Sequence, residues 1–173
     1  MEFASEDAAV AVDVGAGEGR DAVFFAERGL DVLAVDVAPN GLEKADRLAR
    51  ERGVDIRTER ADVNAFELDE RVDLVYSIGT IQYLEPANRE ERFEHLRAQT
   101  APGGVHALFA FVDHPEVPPA PDWGENEHFY EPGELRGYYA DWNALYSRKF
   151  VFDDESGGEP HRHAAEEYVF ERP

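Results

Sequence analysis

Val10-Ala11-Val12-Asp13-Val14-Gly15-Ala16-Gly17-Glu18-Gly19-Arg20 joins an apolar strand to a glycine-rich turn and then to the start of a helix. A turn of this kind reads as a nucleotide-binding loop. Small residues let the backbone pass close to a ligand, and the first N–H groups of the following helix have no partner within it. The glycine spacing narrows the choice of ligand. A dinucleotide fingerprint, GxGxxG, counted from Gly15 would place its third glycine at position 20, where this chain has Arg20. The glycines fall instead at 15, 17 and 19, and Asp13 stands two positions before the first.

Downstream, residues 19–28 read as a helix closed by Gly29, and residues 31–36 as a second strand ending in Asp36. Asp36 lies about 20 residues past the loop, the distance at which a βαβ unit sets an acid against ribose hydroxyls. A third strand, 54–59, leads into Ala61-Asp62-Val63, and residues 72–77 form a fourth. In this order the segments resemble the class I S-adenosylmethionine-dependent methyltransferases, the loop resembling motif I and the end of the fourth strand motif IV. The resemblance implies an α/β, Rossmann-like fold with a doubly wound, mainly parallel seven-stranded sheet whose last strand is antiparallel. It also implies S-adenosylmethionine as cofactor. The cofactor-binding positions would be Asp13, Gly15, Ala16, Gly17 and Gly19 in the loop, Asp36 with Val37, Asp62 with Val63, and Ser77. Asp62 would accept a hydrogen bond from the adenine amino group.

The composition sets the outer limits. A chain of 173 residues, 43% of them hydrophobic, suits one globular domain with a sizeable core, spanning residues 1–173. No apolar run reaches the ~18 residues of a membrane span. Residues 1–7 lack the basic start and apolar core of a signal peptide, so a cytoplasmic location is expected. The absence of cysteine removes disulfides, thiolate catalysis and cysteine metal sites together. The net charge of −21 would repel nucleic acid and anionic membranes, which leaves a small molecule as the expected partner. Only Lys44 and Lys149 are lysines, against 38 acids, a balance that fits a halophilic protein of a salt-rich cytoplasm.

Further along, Pro86 is placed to open a helix with Phe93, Leu96 and Thr100 on one face, ended by Pro102-Gly103-Gly104. Residues 105–112 are nearly all apolar and read as a central strand buried on both faces. The proline-rich stretch 113–130 leaves the ligand-binding edge of that strand and is expected to wall the substrate pocket. Residues 129–142 read as a helix with Leu135, Tyr138, Tyr139 and Trp142 on one face.

Three strings narrow the resemblance to the tellurite-resistance methyltransferases: Glu134-Leu135-Arg136-x-Tyr138-Tyr139-x-x-Trp142, Gly17-x-Gly19-Arg20, and Gly158-Glu159-Pro160-His161-Arg162. The resemblance runs from about Ala9 to Phe170. It implies a small acceptor such as tellurite or selenite, with the chalcogen lone pair as nucleophile. Arg20, His161 and Arg162 are then the expected catalytic residues, since arginine can hold an oxyanion by two parallel hydrogen bonds and histidine can move a proton near neutral pH. The chain departs from the family in two places. About nine residues precede the first strand, where the family has a helical segment over the cofactor, and a further arginine after the His-Arg pair is replaced within His163-Ala164-Ala165-Glu166-Glu167. His161 and His163 share a strand face, but with no third ligand evident no metal is expected. The alternatives are methylation of a thiol or amine metabolite and a non-catalytic S-adenosylmethionine-binding module. A dinucleotide oxidoreductase fits least.

Overall fold

In β1, Val10–Val14, Ala11 and Asp13 face one way while Val12 and Val14 face the other, and all four are buried. A strand buried on both sides is covered on both sides, which is the condition of a parallel sheet flanked by helices. The computed structural model describes residues 8–121 and 123–173 and has that form. After β1 come α1 (Arg20–Ala26), β2 (Asp31–Asp36), α2 (Pro39–Arg52), β3 (Arg57–Arg60) and β4 (Val72–Ser77). Then follow α3 (Arg89–Gln99), β5 (Thr100–Phe111), α4 (Glu134–Tyr138), β6 (Asn143–Asp154) and β7 (His161–Glu171). The reading of residues 1–7 as carrying no leader lies outside the described residues. No helix among the described residues is long and apolar enough to cross a membrane.

The seven strands run in the order β3-β2-β1-β4-β5-β7-β6. The first five are parallel, and β7 is antiparallel to both β5 and β6, as the family resemblance implied. The chain winds outward through β2 and β3, then returns to place β4 on the other side of β1. Connections leaving β1 and β4 therefore diverge and open a crevice at their C-terminal ends, where open α/β sheets bind ligands. On one face Ala11, Val32 and Ala34 pack against Ala22 of α1. On the other, Val12, Val14, Leu33 and Val35 pack with Phe66 and Leu68. A larger cluster, including Phe93, Leu108, Tyr130, Tyr139, Trp142 and Phe170, joins α3 and α4 to β5 and β7.

Four expectations are corrected. The third strand begins at Arg57, because Val54 closes the end of α2 by donating its N–H to the Ala49 carbonyl behind a left-handed Gly53 (φ 72°). The helix expected from Pro86 is split into a 3₁₀ turn, Pro86–Asn88, and α3. It ends at Gln99, and Thr100-Ala101-Pro102-Gly103-Gly104 belongs to the start of β5, where the register against β4 shifts. β5 is buried on one face only: His106, Leu108 and Ala110 are buried, whereas Ala107, Phe109 and Phe111 are partly exposed under the rings of Phe150, Phe152 and Trp123. The helix over 129–142 shrinks to Glu134–Tyr138, because Tyr130 is extended and donates its N–H to Phe111, and Tyr139 turns out of the helix. Leu135, Tyr139 and Trp142 are still buried.

Candidate functional site

The glycine loop after β1 is anchored on β2. Gly15 and Ala16 donate their N–H groups to the Val35 carbonyl at 2.8 and 2.9 Å, Gly17 donates to Asp36 Oδ2 at 2.8 Å, and Gly19 donates to the Ala16 carbonyl at 2.9 Å. These four donors are thus used within the protein. Gly15 must be glycine: its φ is +84°, and a Cβ there would lie 1.7 Å from Thr80 Oγ1. The turn after β4 therefore presses directly on the loop.

Between these turns lies a cavity of about 610 Å³, lined by Gly15, Gly17, Asp36, Val37, Asp62 and Val63, with Asn64, Thr80 and Tyr83 opposite. That volume suits a nucleoside-sized ligand. The charged residues of the lining are Asp36, Asp62 and Glu85, all acidic. Asp36 is fixed at the end of β2, with Oδ1 accepting from Ala38 N–H and Oδ2 from Gly17 N–H, both at 2.8 Å. Each oxygen keeps further acceptor capacity. Asp62 Oδ1 accepts from the backbone and side chain of Asn64, while Oδ2 accepts no bond among the described residues.

Asn64, Thr80 and Tyr83 were not singled out from the sequence. Asn64 donates to the Tyr83 carbonyl at 2.8 Å and accepts from Glu85 N–H at 2.8 Å, so it ties the loop after β3 to the turn after β4. Its one local signal was its place two residues after Asp62, where an Asx turn forms. The proline-rich loop reaches the same cavity through Asn126. Arg89 holds that loop in place: nearly fully buried, it donates to Glu134 and to the carbonyls of His128 and Phe129 at 2.9–3.1 Å.

Other expected site residues stand behind the cavity wall. Asp13 is buried beneath the start of α1, where burial and then the nearby Asp21 raise its pKa to about 7. Ser77 donates its hydroxyl to the Val14 carbonyl at 2.8 Å and locks β4 to β1. Gly19 precedes α1 and packs on Ala45 of α2, and Ala16 packs beside α1. These four shape the loop that Gly15, Gly17, Asp36, Val37, Asp62 and Val63 present to the cavity.

Arg20, His161 and Arg162 are not brought into contact with one another as a cluster. Arg20 has an 87% exposed side chain that pairs with Asp21 at 3.0 Å. Arg162 is exposed and donates to the Glu116 carbonyl in the proline-rich loop at 3.2 Å. His161 turns instead to His163, 3.0 Å away between Nε2 atoms. The start of β7 runs past the end of β5, which puts His161 and Arg162 at the same edge of the sheet as the cavity.

The family profile described as tellurite resistance protein TehB matches residues 6–167. A protein named Hemagglutinin 1 from Eikenella corrodens is 29% identical over 134 residues, covering 78% of this chain and 44% of that protein. The probable S-adenosyl-L-methionine-dependent methyltransferase TehB of Haemophilus influenzae is 25% identical over 152 residues, covering 87% of this chain and 50% of the relative. The crystal structure of TehB from Haemophilus influenzae has the same fold, with a TM-score of 0.85 at 21% identity over 97% of this chain and 59% of that one. The chain spans about half the length of the curated relatives it matches.

Proposed function

This chain belongs to the tellurite resistance protein TehB family, and from that premise we propose that it transfers a methyl group from S-adenosylmethionine to a small-molecule acceptor, first of all a tellurite or selenite oxyanion. The observation that carries the reading is the pairing of an acidic cavity with a glycine loop in which Gly15, Ala16, Gly17 and Gly19 already donate their N–H groups within the protein. A dinucleotide needs free loop N–H groups for its pyrophosphate. A cationic sulfonium nucleoside needs none, and Asp36, Asp62 and Glu85 favour its charge.

In this reading Asp36 accepts hydrogen bonds from the ribose hydroxyls, Asp62 Oδ2 accepts from the adenine amino group, and Val37 and Val63 offer apolar surface to the base. Bound there, S-adenosylmethionine would supply a methyl group on an activated sulfonium leaving group. The protein then has only to align the acceptor and exclude water. Asn126 and the proline-rich loop serve the second task. Arg162, His161 and Arg20 are assigned to the acceptor side as cationic contacts for an oxyanion. The excess of acids is read as an adaptation to a salt-rich cytoplasm.

The test is transfer of labelled methyl groups by the full chain in molar KCl, with tellurite, selenite, a thiol and an amine as acceptors. Methylated chalcogen is the expected product. Transfer to the thiol or amine alone would replace the acceptor, and cofactor binding without any transfer would favour the non-catalytic module. His161→Ala and Arg162→Ala should lower turnover and leave cofactor affinity largely unchanged. Full turnover in both would remove them from the acceptor site.

A further inference from the structure

The β6–β7 hairpin sets Asp154 directly opposite His161, and His163 follows two positions later on the same face of β7. Their donor atoms converge. His161 Nε2 lies 3.0 Å from His163 Nε2, and Asp154 Oδ2 lies 3.9 Å from the first and 3.6 Å from the second. Bonds of about 2.0–2.1 Å around a tetrahedral ion place its ligands roughly 3.4 Å apart, so the three atoms already stand close to the corners of such a site. The third ligand that the sequence did not reveal is Asp154.

The surroundings fix these atoms. His161 Nδ1 is 2.6 Å from the Glu159 carbonyl and donates to it, so His161 Nε2 meets His163 Nε2 as an acceptor, and an ion between the rings would take the place of the proton shared there. Asp154 Oδ1 accepts from the N–H groups of Glu155 and Ser156, and Oδ2 accepts from Ser156 Oγ at 2.7 Å. The two histidine side chains are only 7% and 5% exposed, and Asp154, at 37%, marks the open side. The rings of Phe111 and Phe152 lie 4.9 and 5.5 Å from the His163 ring and give the polar cluster an apolar wall.

We infer that Asp154, His161 and His163 form a binding site for a borderline divalent transition metal, with Zn²⁺ the best match to two imidazoles and one carboxylate. Hard cations such as Mg²⁺ prefer all-oxygen sites. Three protein donors leave a fourth position open to water or an anion. The inference does not depend on methyl transfer. Where both hold, His161 acts on the acceptor through the ion.

The experiment uses the full chain, stripped with EDTA and dialysed into molar KCl to screen its acidic surface. Zn²⁺ is titrated by calorimetry, Co²⁺ is followed by its visible d–d absorption, and imidazole nitrogen shifts are read by NMR. The expected result is one ion per chain with sub-micromolar Kd, a tetrahedral Co²⁺ spectrum, and shifts at both His161 and His163. His163→Gln and Asp154→Asn should each weaken binding by about 100-fold, since ligand and supporting groups both set metal affinity. His114→Gln, in the proline-rich loop, should bind as the parent does. Asp154 is partly exposed, so its variant keeps the test meaningful if His163→Gln folds poorly. Weak binding that is equal in the parent and Asp154→Asn, with no shift at the two histidines, would show a hydrogen-bonded histidine pair and overturn the site.

Discussion

Replacing Gly15 by alanine tests how the cavity is built. Two costs arise at that position. The left-handed backbone, φ +84°, strains any residue with a Cβ by about 1–2 kcal/mol. The new Cβ would also lie 1.7 Å from Thr80 Oγ1 and 2.4 Å from Thr80 Cβ, so the turn after β4 must move. Overpacking of that kind costs about 1–3 kcal/mol. Gly17 provides the internal comparison, because its φ is also positive, at +56°, yet a Cβ there meets nothing within 4 Å. Urea unfolding in molar KCl should therefore show Gly15→Ala less stable than the parent by about 2–5 kcal/mol, and Gly17→Ala by only about 1–2 kcal/mol. Thr80 also lines the cavity, so affinity for S-adenosylmethionine should fall together with stability in Gly15→Ala. Adding Thr80→Gly should return the steric part of the loss and leave the backbone part. Equal stability of the two alanine variants, or no recovery in the double variant, would refute the contact between the two turns as the organiser of the cavity.

Asp36→Asn replaces an acceptor of two backbone N–H groups by one that must turn a donor toward one of them. It should cost about 1.5–3 kcal/mol in stability and weaken cofactor binding at least ten-fold by calorimetry. The pH dependence has two opposing parts. Asp13 holds its proton up to about pH 7 in the folded chain against 3.8 ordinarily, so its favourable contribution is complete below pH 3.8 and is lost as pH rises through 7. Asp13→Asn should therefore be more stable than the parent at pH 8, as read by melting temperature, and less stability there would contradict the buried carboxyl. His106, held between Thr100 and Tyr139, has its pKa lowered by burial from 6.5 to about 3. The unfolded chain takes up a proton that the native chain refuses, so stability falls as pH drops through that window, and His106→Gln should flatten the slope. The charge of −21 predicts a melting temperature that climbs with KCl, because the screening length contracts to about 3 Å at 1 M salt. A melting point indifferent to KCl would remove the halophilic reading.

Much of the cavity was legible because its signals are local. Glycines 15 and 17 mark left-handed backbone, Asp36 ends the apolar strand β2, and Asp62 stands two residues past the end of β3. What escaped was set by distant partners. Tyr139 leaves the helix pattern because its ring stacks on Phe170 at 4.3 Å and its hydroxyl bonds to His106, neither of which helical spacing can report. The exposed face of β5 was hidden for a similar reason: Phe109 and Phe111 are apolar yet meet rings from β6, a strand whose residues are mostly exposed and whose pattern is weak. Asn64 and Thr80 owe their roles to turns meeting across the crevice, and Asp154 joins His161 and His163 only through hairpin register.

The cavity at the ends of β1, β2 and β4 is tested most directly by calorimetric titration of the full chain in molar KCl with S-adenosylmethionine, with NAD as the control. The expected result is saturable one-to-one binding of S-adenosylmethionine that is weakened by Asp36→Asn, and no binding of NAD. Binding of NAD, or failure of S-adenosylmethionine to bind a chain shown to be folded, would contradict it.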